Sequence, residues 1–360
     1  MKILVIQNKR IGDVLIASVL ANNLKTIFPD SHITYFVYDY TAGVLEQNPN
    51  IDRLILANDK ELKKPFVLLK AIRKIRKERY DIIMDPYAKF QSRMMCLLSK
   101  APIRAGFKRA HKKLKFPFYT HPVNFLEKST LSCGKAIEDR INMLNTVFTI
   151  PNPDPRYKIF LTEEEQNDSV TSDLKKPIIM LGVLGSTPNK SLPYEYTAHL
   201  IDYIAEITHA TLLFNYAPHQ KHEAEKIYEL CSKKEKIDLD IYEDSIRGFI
   251  KLMNQCDLLI SNEGGSVHIA KALGIPTFTV YSPYINKGDW NSFEDGKMHE
   301  SVHLMEERPN LFENFTREER QNIEKNPEQL YLQLTPEIIL KRLKPYMDNF
   351  FKNKPDESPE

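Results

Sequence analysis

Apolar residues fall along this chain in two alternating patterns. Short continuous runs have the length and β-branched content of buried strands: "KILVIQ" (2–7), "HITYFVY" (32–38), "DRLILA" (52–57), "YDIIMDPY" (80–87) and "IRAGF" (103–107). Between them lie stretches with helical spacing. In "GDVLIASVLANNLKTIF" (12–28), Val14, Leu15, Ala17, Leu20, Ala21, Leu24, Ile27 and Phe28 fall largely on one side, which predicts one long helix. "TAGVLEQN" predicts a short helix, residues 61–80 a basic amphipathic helix, and "QSRMMCLLSKA" (91–101) another. Strands that alternate with helices imply a parallel sheet covered on both faces.

Around residue 151 the texture changes. "IPNPDPRYKIFLTEEEQNDSVTSDLKK" crowds prolines and then charges, which reads as a linker. A second alternation follows, with strands at 177–185, 210–216, "CDLLIS" and 276–282, and helices in "YEYTAHLIDYIAEI", "HQKHEAEKIYELCSKK", "SIRGFIKLMNQ" and "SVHIAKALG". "TPEIILKRLKPYMDNFF" (335–351) reads as a last helix before a polar tail. The pattern predicts two doubly wound α/β domains facing a cleft, at 1–165 and 175–330, with 331–360 as C-terminal helix and tail. In such sheets ligands sit beyond the carboxyl ends of the strands, so the loops there carry the candidate chemistry.

One such loop is "SNEGGSVHIAKALGIP" (261–276). The amino end of a helix carries unpaired N–H groups and partial positive charge, which phosphate oxygens satisfy. Gly264, Gly265 and Ser266 would let a pyrophosphate rest on the amides of 264–267, Val267 included. His268 could donate to a phosphate oxygen, and Glu263 suits sugar hydroxyls. Glycine there lets the backbone come close and adopts positive φ without penalty; the plainer alternative is a tight strand-to-helix turn with Asn262 as cap and His268 half-buried. In "LGSTPNKSLP" (184–193), Gly185, Ser186, Thr187 and Lys190 resemble a phosphate loop, yet the spacing fails the P-loop pattern. Lys190 remains either a point charge for phosphate or a solvated lysine. In "QNKRIGDVL" (7–15), Gly12 and Asp13 open the first helix, and Asp13 is either an N-cap or a general base. Asp85, Lys89, Gln91 and Ser92 form a polar rim after the fourth strand, with helix capping the alternative for Ser92. Trp290, the only tryptophan, is placed to pack on a base or sugar, or in a core.

The totals narrow the classes. The 360 residues carry a net charge of +2, which gives no global case for nucleic acid. Cations nevertheless concentrate at 63–79 and at 104–115, the latter comprising Arg104, Lys108, Arg109, Lys112, Lys113 and Lys115. Such a concentration suits an anionic acceptor or membrane surface, unless these are solvated faces. The start "MKILVIQ" is a strand rather than a signal peptide, and no apolar run is long enough to span a bilayer. Cys96, Cys133, Cys231 and Cys256 are far apart with no metal spacing, as expected of reduced thiols in a cytosolic protein.

Taken in order, these motifs resemble glycosyltransferase family 9, the lipopolysaccharide heptosyltransferase family. The resemblance runs from "KILVIQNKRIGDVLIASVL" through "DIIMDPYAKFQS", "IRAGF" and "MLGVLGSTPNKSLP" to "EGGSVHIAKALGIP" and "SPYINKGDW". It implies a GT-B architecture: two Rossmann-like domains, with the C-terminal helix crossing back to the first. It implies inverting transfer without metal or cofactor, from a nucleotide-diphospho-sugar donor, ADP-linked, to an anionic glycolipid or saccharide acceptor. By the motif, Asp13 matches the catalytic base and Lys190 the lysine near the donor phosphates. Glu263, Gly264, Gly265 and His268 match the donor loop, and Gly12, Asp85, Lys89, Gln91 and Ser92 lie on the acceptor side. The chain departs from the pattern with Glu263 for Asp, Gly264 for Ser or Thr, Ser266 for Pro, and Leu192 for an aromatic. The implied setting is cytoplasmic, with peripheral contact to the inner membrane. The competing readings are a non-catalytic nucleotide-sugar-binding protein and a GT-B-like nucleotide-sugar epimerase.

Overall fold

The computed structural model describes residues 1–108, 117–168, 170–187, 190–313 and 315–352. The chain divides into two compact units, Met1–Thr162 with Gly288–Ser292, and Glu163–Lys287 with Phe293–Glu360.

The first unit is built on β1 (Lys2–Ile6), β2 (His32–Tyr38), β3 (Arg53–Ala57), β4 (Ile82–Asp85), β5 (Ile103–Phe107) and β6 (His121–Val123). All pair parallel, in the order β3-β2-β1-β4-β5-β6. β1 sits mid-sheet under helices, and Ile3, Leu4, Val5 and Ile6 are fully buried, which is why its sequence is a continuous apolar run. The helices are α1 (Ile11–Ala17), α2 (Val19–Ile27), α3 (Pro65–Glu78), α4 (Phe90–Ser99) and α5 (Lys135–Val147). The single helix expected over 12–28 is two. Ser18 separates them, with its hydroxyl donating to the Leu15 carbonyl at 2.7 Å and competing with the helical ladder.

β6 and α5 come from a stretch in which the apolar pattern predicted nothing. α5 is hard to read because three consecutive charged residues, Glu138, Asp139 and Arg140, face inward. They are partnered: Glu138 accepts from the Thr130 amide at 2.7 Å and Asp139 from the Leu126 amide at 2.8 Å.

The second unit repeats the plan. Its strands are β7 (Ile178–Gly182), β8 (Thr211–Asn215), β9 (Ile237–Asp238), β10 (Leu258–Asn262), β11 (Thr277–Val280) and β12 (His299–Val302), all parallel, in the order β12-β11-β10-β7-β8-β9. Its helices are α6 (Glu163–Gln166), α7 (Tyr194–Ile207), α8 (Lys221–Leu230), α9 (Ile246–Asn254), α10 (Gly265–Leu273), α11 (Leu304–Glu307), α12 (Arg317–Lys325), α13 (Glu328–Gln333) and α14 (Pro336–Lys352). α14, expected from the resemblance to cross back to the first domain, packs on α7, β11 and β12, burying Ile339, Leu343 and Met347.

The charged stretch read as a linker is docked. Arg247 grips Glu165 with two nitrogens, and Lys251 lies 3.1 Å from Asp168. All four cysteines are free and buried.

In each unit the strand order reverses at one place, between β1 and β4 in the first and between β7 and β10 in the second. The connections diverge to opposite faces there, so the carboxyl ends of those strands open a crevice.

Candidate functional site

At the first unit's switch point, β1 runs into α1 through Gln7–Arg10. Asp13 is not the N-cap; that position is Arg10, and Asp13 stands in the first helical turn with its side chain turned elsewhere. Its carboxylate Oδ1 lies 2.8 Å from the Lys9 ammonium and 3.7 Å from an Arg140 guanidinium nitrogen. Only 7% of the Asp13 side chain is exposed. Arg140 is itself held by donation from Nη1 to the Ala136 carbonyl at 2.8 Å. Lys9 is steered from two sides: its ammonium lies 5.4 Å from the Trp290 ring centroid, and Tyr40 donates to its carbonyl. Trp290, expected to pack on a base or sugar or in a core, belongs to the first unit and has the Lys9 ammonium over its ring. Gly12 is buried within α1.

Asp85, which ends β4, does not form a polar rim. It is fully buried and spent internally, accepting from the Ala88 amide at 2.8 Å and the Tyr119 hydroxyl at 2.7 Å. Burial pushes its pKa up to about 6, against the lowering effect of those donors. Ser92 is also buried; its hydroxyl accepts from the Lys89 amide at 3.1 Å and caps α4. Lys89 is exposed and Gln91 half-exposed. Of the five acceptor-side residues, Gly12 included, these two alone present side chains to solvent. Gln7 and Asn8 went unnoticed in the sequence. Both are fully buried, and none of their side-chain polar atoms has a protein partner among the described residues.

At the second unit's switch point, β7 leads into the loop of Gly185–Ser191. Gly185 is required by close approach, since a Cβ there would meet the Lys190 carbonyl oxygen at 1.9 Å. Its amide donates to Ser191 Oγ at 2.9 Å, and Gln220 Nε2 donates to its carbonyl at 2.8 Å. Ser186 and Thr187 are exposed, and the Lys190 ammonium sits 5.6 Å from the Tyr284 ring centroid. Leu192, where the family pattern has an aromatic, is buried in the core.

β10 delivers the glycine turn. Asn262 is not the helix cap. Its Nδ2 donates across the sheet to the Gly182 carbonyl at 3.1 Å, which ties the two loops together, and its buried Oδ1 has no partner among the described residues. The N-cap of α10 is Gly264, with no side-chain hydrogen bond to the first amides. Gly264 has φ 165°, extended backbone, so its role is not a positive φ. A Cβ at this position would meet nothing within 4 Å among the described residues. The glycine thus leaves open space before an uncapped helix end. Gly265 and Ser266 are half-exposed, whereas the Val267 and His268 side chains are buried, so Val267 can offer only its amide.

Glu263 is positioned by a chain of hydroxyls not foreseen in the sequence. Ser282 Oγ donates to Glu263 Oε1 at 2.9 Å and lies 2.6 Å from the Tyr331 hydroxyl, which is left as donor to Ser282. Burial, with the Glu263 charge beside it, raises the Tyr331 pKa and keeps the phenol protonated. Ser282 follows β11 and Tyr331 lies in α13, so only the fold brings them to Glu263.

Residues 68–311 match glycosyltransferase family 9 (heptosyltransferase). Among curated proteins, the chain is 26% identical over 298 residues to lipopolysaccharide heptosyltransferase 1 of Campylobacter coli, covering 78% of this chain and 84% of that one. Among solved structures, it resembles the E. coli ADP-heptose lps heptosyltransferase II with a TM-score of 0.72 at 16% identity, over 98% of this chain and 99% of that one. It also resembles an E. coli heptosyltransferase solved with ADP-2-deoxy-2-fluoro heptose, with a TM-score of 0.63 at 17% identity, over 84% and 93%. At these identities the two structures establish the fold, two parallel six-stranded α/β units of GT-B type.

Proposed function

Because the chain belongs to glycosyltransferase family 9, the heptosyltransferase family, we propose that it moves a heptose or related sugar from an ADP-linked donor to a lipopolysaccharide core or similar surface-glycan acceptor. The protein is a glycosyltransferase; the sugar, the acceptor, inversion and metal independence are the proposal. The observation that carries it is the uncapped end of α10 behind Gly264, opening at the second unit's switch point beside the Lys190 loop.

The residues take the following roles. The amides of 264–267 and the Lys190 ammonium receive the diphosphate and stabilise the charge that grows on it as it leaves. Glu263, oriented by Ser282 and Tyr331, accepts hydroxyls of the donor sugar. Asp13 takes the proton of the acceptor hydroxyl. As that O–H bond breaks, the oxygen's electron pair forms the bond to the anomeric carbon. The bond to the diphosphate oxygen breaks on the opposite face, and its pair leaves with the nucleoside diphosphate. The anomeric centre inverts, and Asp13 releases its proton to solvent afterwards. We place the reaction at the cytoplasmic face of the inner membrane, where a lipid-linked acceptor is presented.

Incubation of the protein with ADP-heptose and a lipopolysaccharide core lacking heptose tests this, with products read by mass spectrometry and anomeric configuration by NMR. The expected result is one added heptose of inverted configuration, formed equally well with and without a chelator. A donor that binds but is never turned over would point to a binding protein. A donor sugar altered with no acceptor present would point to an epimerase. Either outcome overturns the reading.

A further inference from the structure

The outer face of α3 carries a charge arrangement that the transfer reaction does not use. Ile72 and Ile75 turn inward and are buried, which anchors the helix on its own sheet. Outward stand Lys70, Arg73, Lys74, Arg76 and Lys77, with Arg79 just past the helix end, all exposed and none in an ion pair among the described residues. The only acid in the helix, Glu78, is occupied by Arg53 at 3.0 Å. The neighbouring lysines behave differently: Lys64 pairs with Glu61 at 2.6 Å and Lys63 with Asp59 at 3.7 Å. Six cations thus cluster on and just past one helix with no ion pair among the described residues, in a chain whose net charge is only +2.

Two large apolar side chains share the charged face. Phe66 is 75% exposed and Leu69 40% exposed. At helical spacing, Phe66, Leu69, Lys70, Arg73 and Lys77 form one stripe along the outer surface. We infer that this face docks on an anionic phospholipid bilayer, with Phe66 and Leu69 entering the headgroup boundary and the cations resting on lipid phosphates. The apolar pair decides between occupants. A soluble polyanion such as RNA would satisfy the cations but leave an exposed phenylalanine unexplained, whereas a bilayer satisfies both. The inference deepens the membrane-face reading by naming the surface that meets the lipid.

The test is flotation of the full chain with vesicles of phosphatidylcholine alone and of phosphatidylcholine mixed with phosphatidylglycerol. Binding is expected to the mixed vesicles only, and to weaken as salt rises. Lys70→Glu, Arg73→Glu and Lys77→Glu combined should lower partitioning at least about a hundredfold. Phe66→Ser, which leaves the charge unchanged, should lower it about tenfold. All these side chains are exposed, so melting temperature and ADP affinity should match the parent chain. Binding that survives the charge reversals, or is equal on both vesicle types, overturns this surface while leaving the transferase reading intact. Failure to bind any vesicle overturns both the surface and the membrane-face placement. Tight binding to heparin with no effect of Phe66→Ser identifies a soluble polyanion instead and also overturns the proposal.

Discussion

The two units share one strand order but equip their switch points in opposite ways. The first places a buried carboxylate, Asp13, against Lys9 and Arg140. The second presents bare backbone: Gly264 is backed by a helix end with no side-chain cap, and a Cβ there would meet nothing within 4 Å among the described residues. Both leave buried polar atoms without protein partners among the described residues, on Gln7 and Asn8 in one and Asn262 in the other. A fold that builds the same crevice twice can thus assign one to proton transfer and the other to anion binding. What differs is whether the loop after the strand brings a functional side chain or bare backbone.

The comparison can be broken at its two ends, with the largest effect at Asp13. Asp13→Asn should lower the transfer rate about 10²–10⁴-fold, the range for loss of a general base. Asparagine keeps the side-chain volume, and a melting curve separates any fold defect from the rate effect. A rate within a few-fold of the parent removes Asp13 from the chemistry.

Next in size, Gly264→Glu should weaken ADP binding about tenfold or more by setting a carboxylate where the diphosphate is to rest. Melting temperature should hold, because φ 165° is extended backbone and the added Cβ meets nothing within 4 Å. A variant that melts early but binds ADP normally would mean that the glycine serves the fold instead.

A smaller effect is expected at Ser282. Ser282→Ala leaves the Tyr331 hydroxyl without this acceptor and takes one donor from Glu263, so KM for the donor should rise several-fold while kcat changes little. Ser282→Thr should restore much of the loss. A fall in kcat with KM unchanged would contradict a role in placing the carboxylate.

The smallest net effect is that of pH, because the two units oppose each other. Asp85 has a folded pKa of about 6 against 3.8, so folding gains as pH falls from about 6 toward 3.8, and that gain is lost as pH rises through 6. His299 is held neutral by burial, with a folded pKa of about 4 against 6.5, so folding loses stability as pH falls from 6.5 through 4. Denaturation curves across that window should show Asp85→Asn losing the acid-side gain and His299→Gln losing the acid-side penalty. The same slope in parent and variants would dismiss both groups as the source.

Much of this comparison was legible in the chain. The central strands announce themselves as unbroken apolar runs because both their faces are covered, and the glycine turn stands out because backbone binding requires small residues. Other parts were hidden for physical reasons. α5 turns charged residues inward, which erases its apolar stripe and conceals Arg140 as a partner of Asp13. β12 buries His299 and Ser301, so it does not look apolar, and β6 is three residues with a proline. Asp85 and Ser92 look like surface polar residues until the fold encloses them. Asn262 has the ideal residue type for a cap, yet a carbonyl on the next strand claims its amide. The basic face of α3 was visible as a charge run, but only the structure separates its unpaired cations from the paired ones. Arg109, Lys112, Lys113 and Lys115 of the second basic run lie outside the described residues.

Calorimetric titration of ADP into the parent chain, Asp13→Asn and Gly264→Glu tests the division of labour most directly. The account predicts that Asp13→Asn binds as the parent does and Gly264→Glu at least about tenfold more weakly. If Asp13→Asn lost ADP affinity while Gly264→Glu kept it, the proposed roles of the two crevices would be wrong.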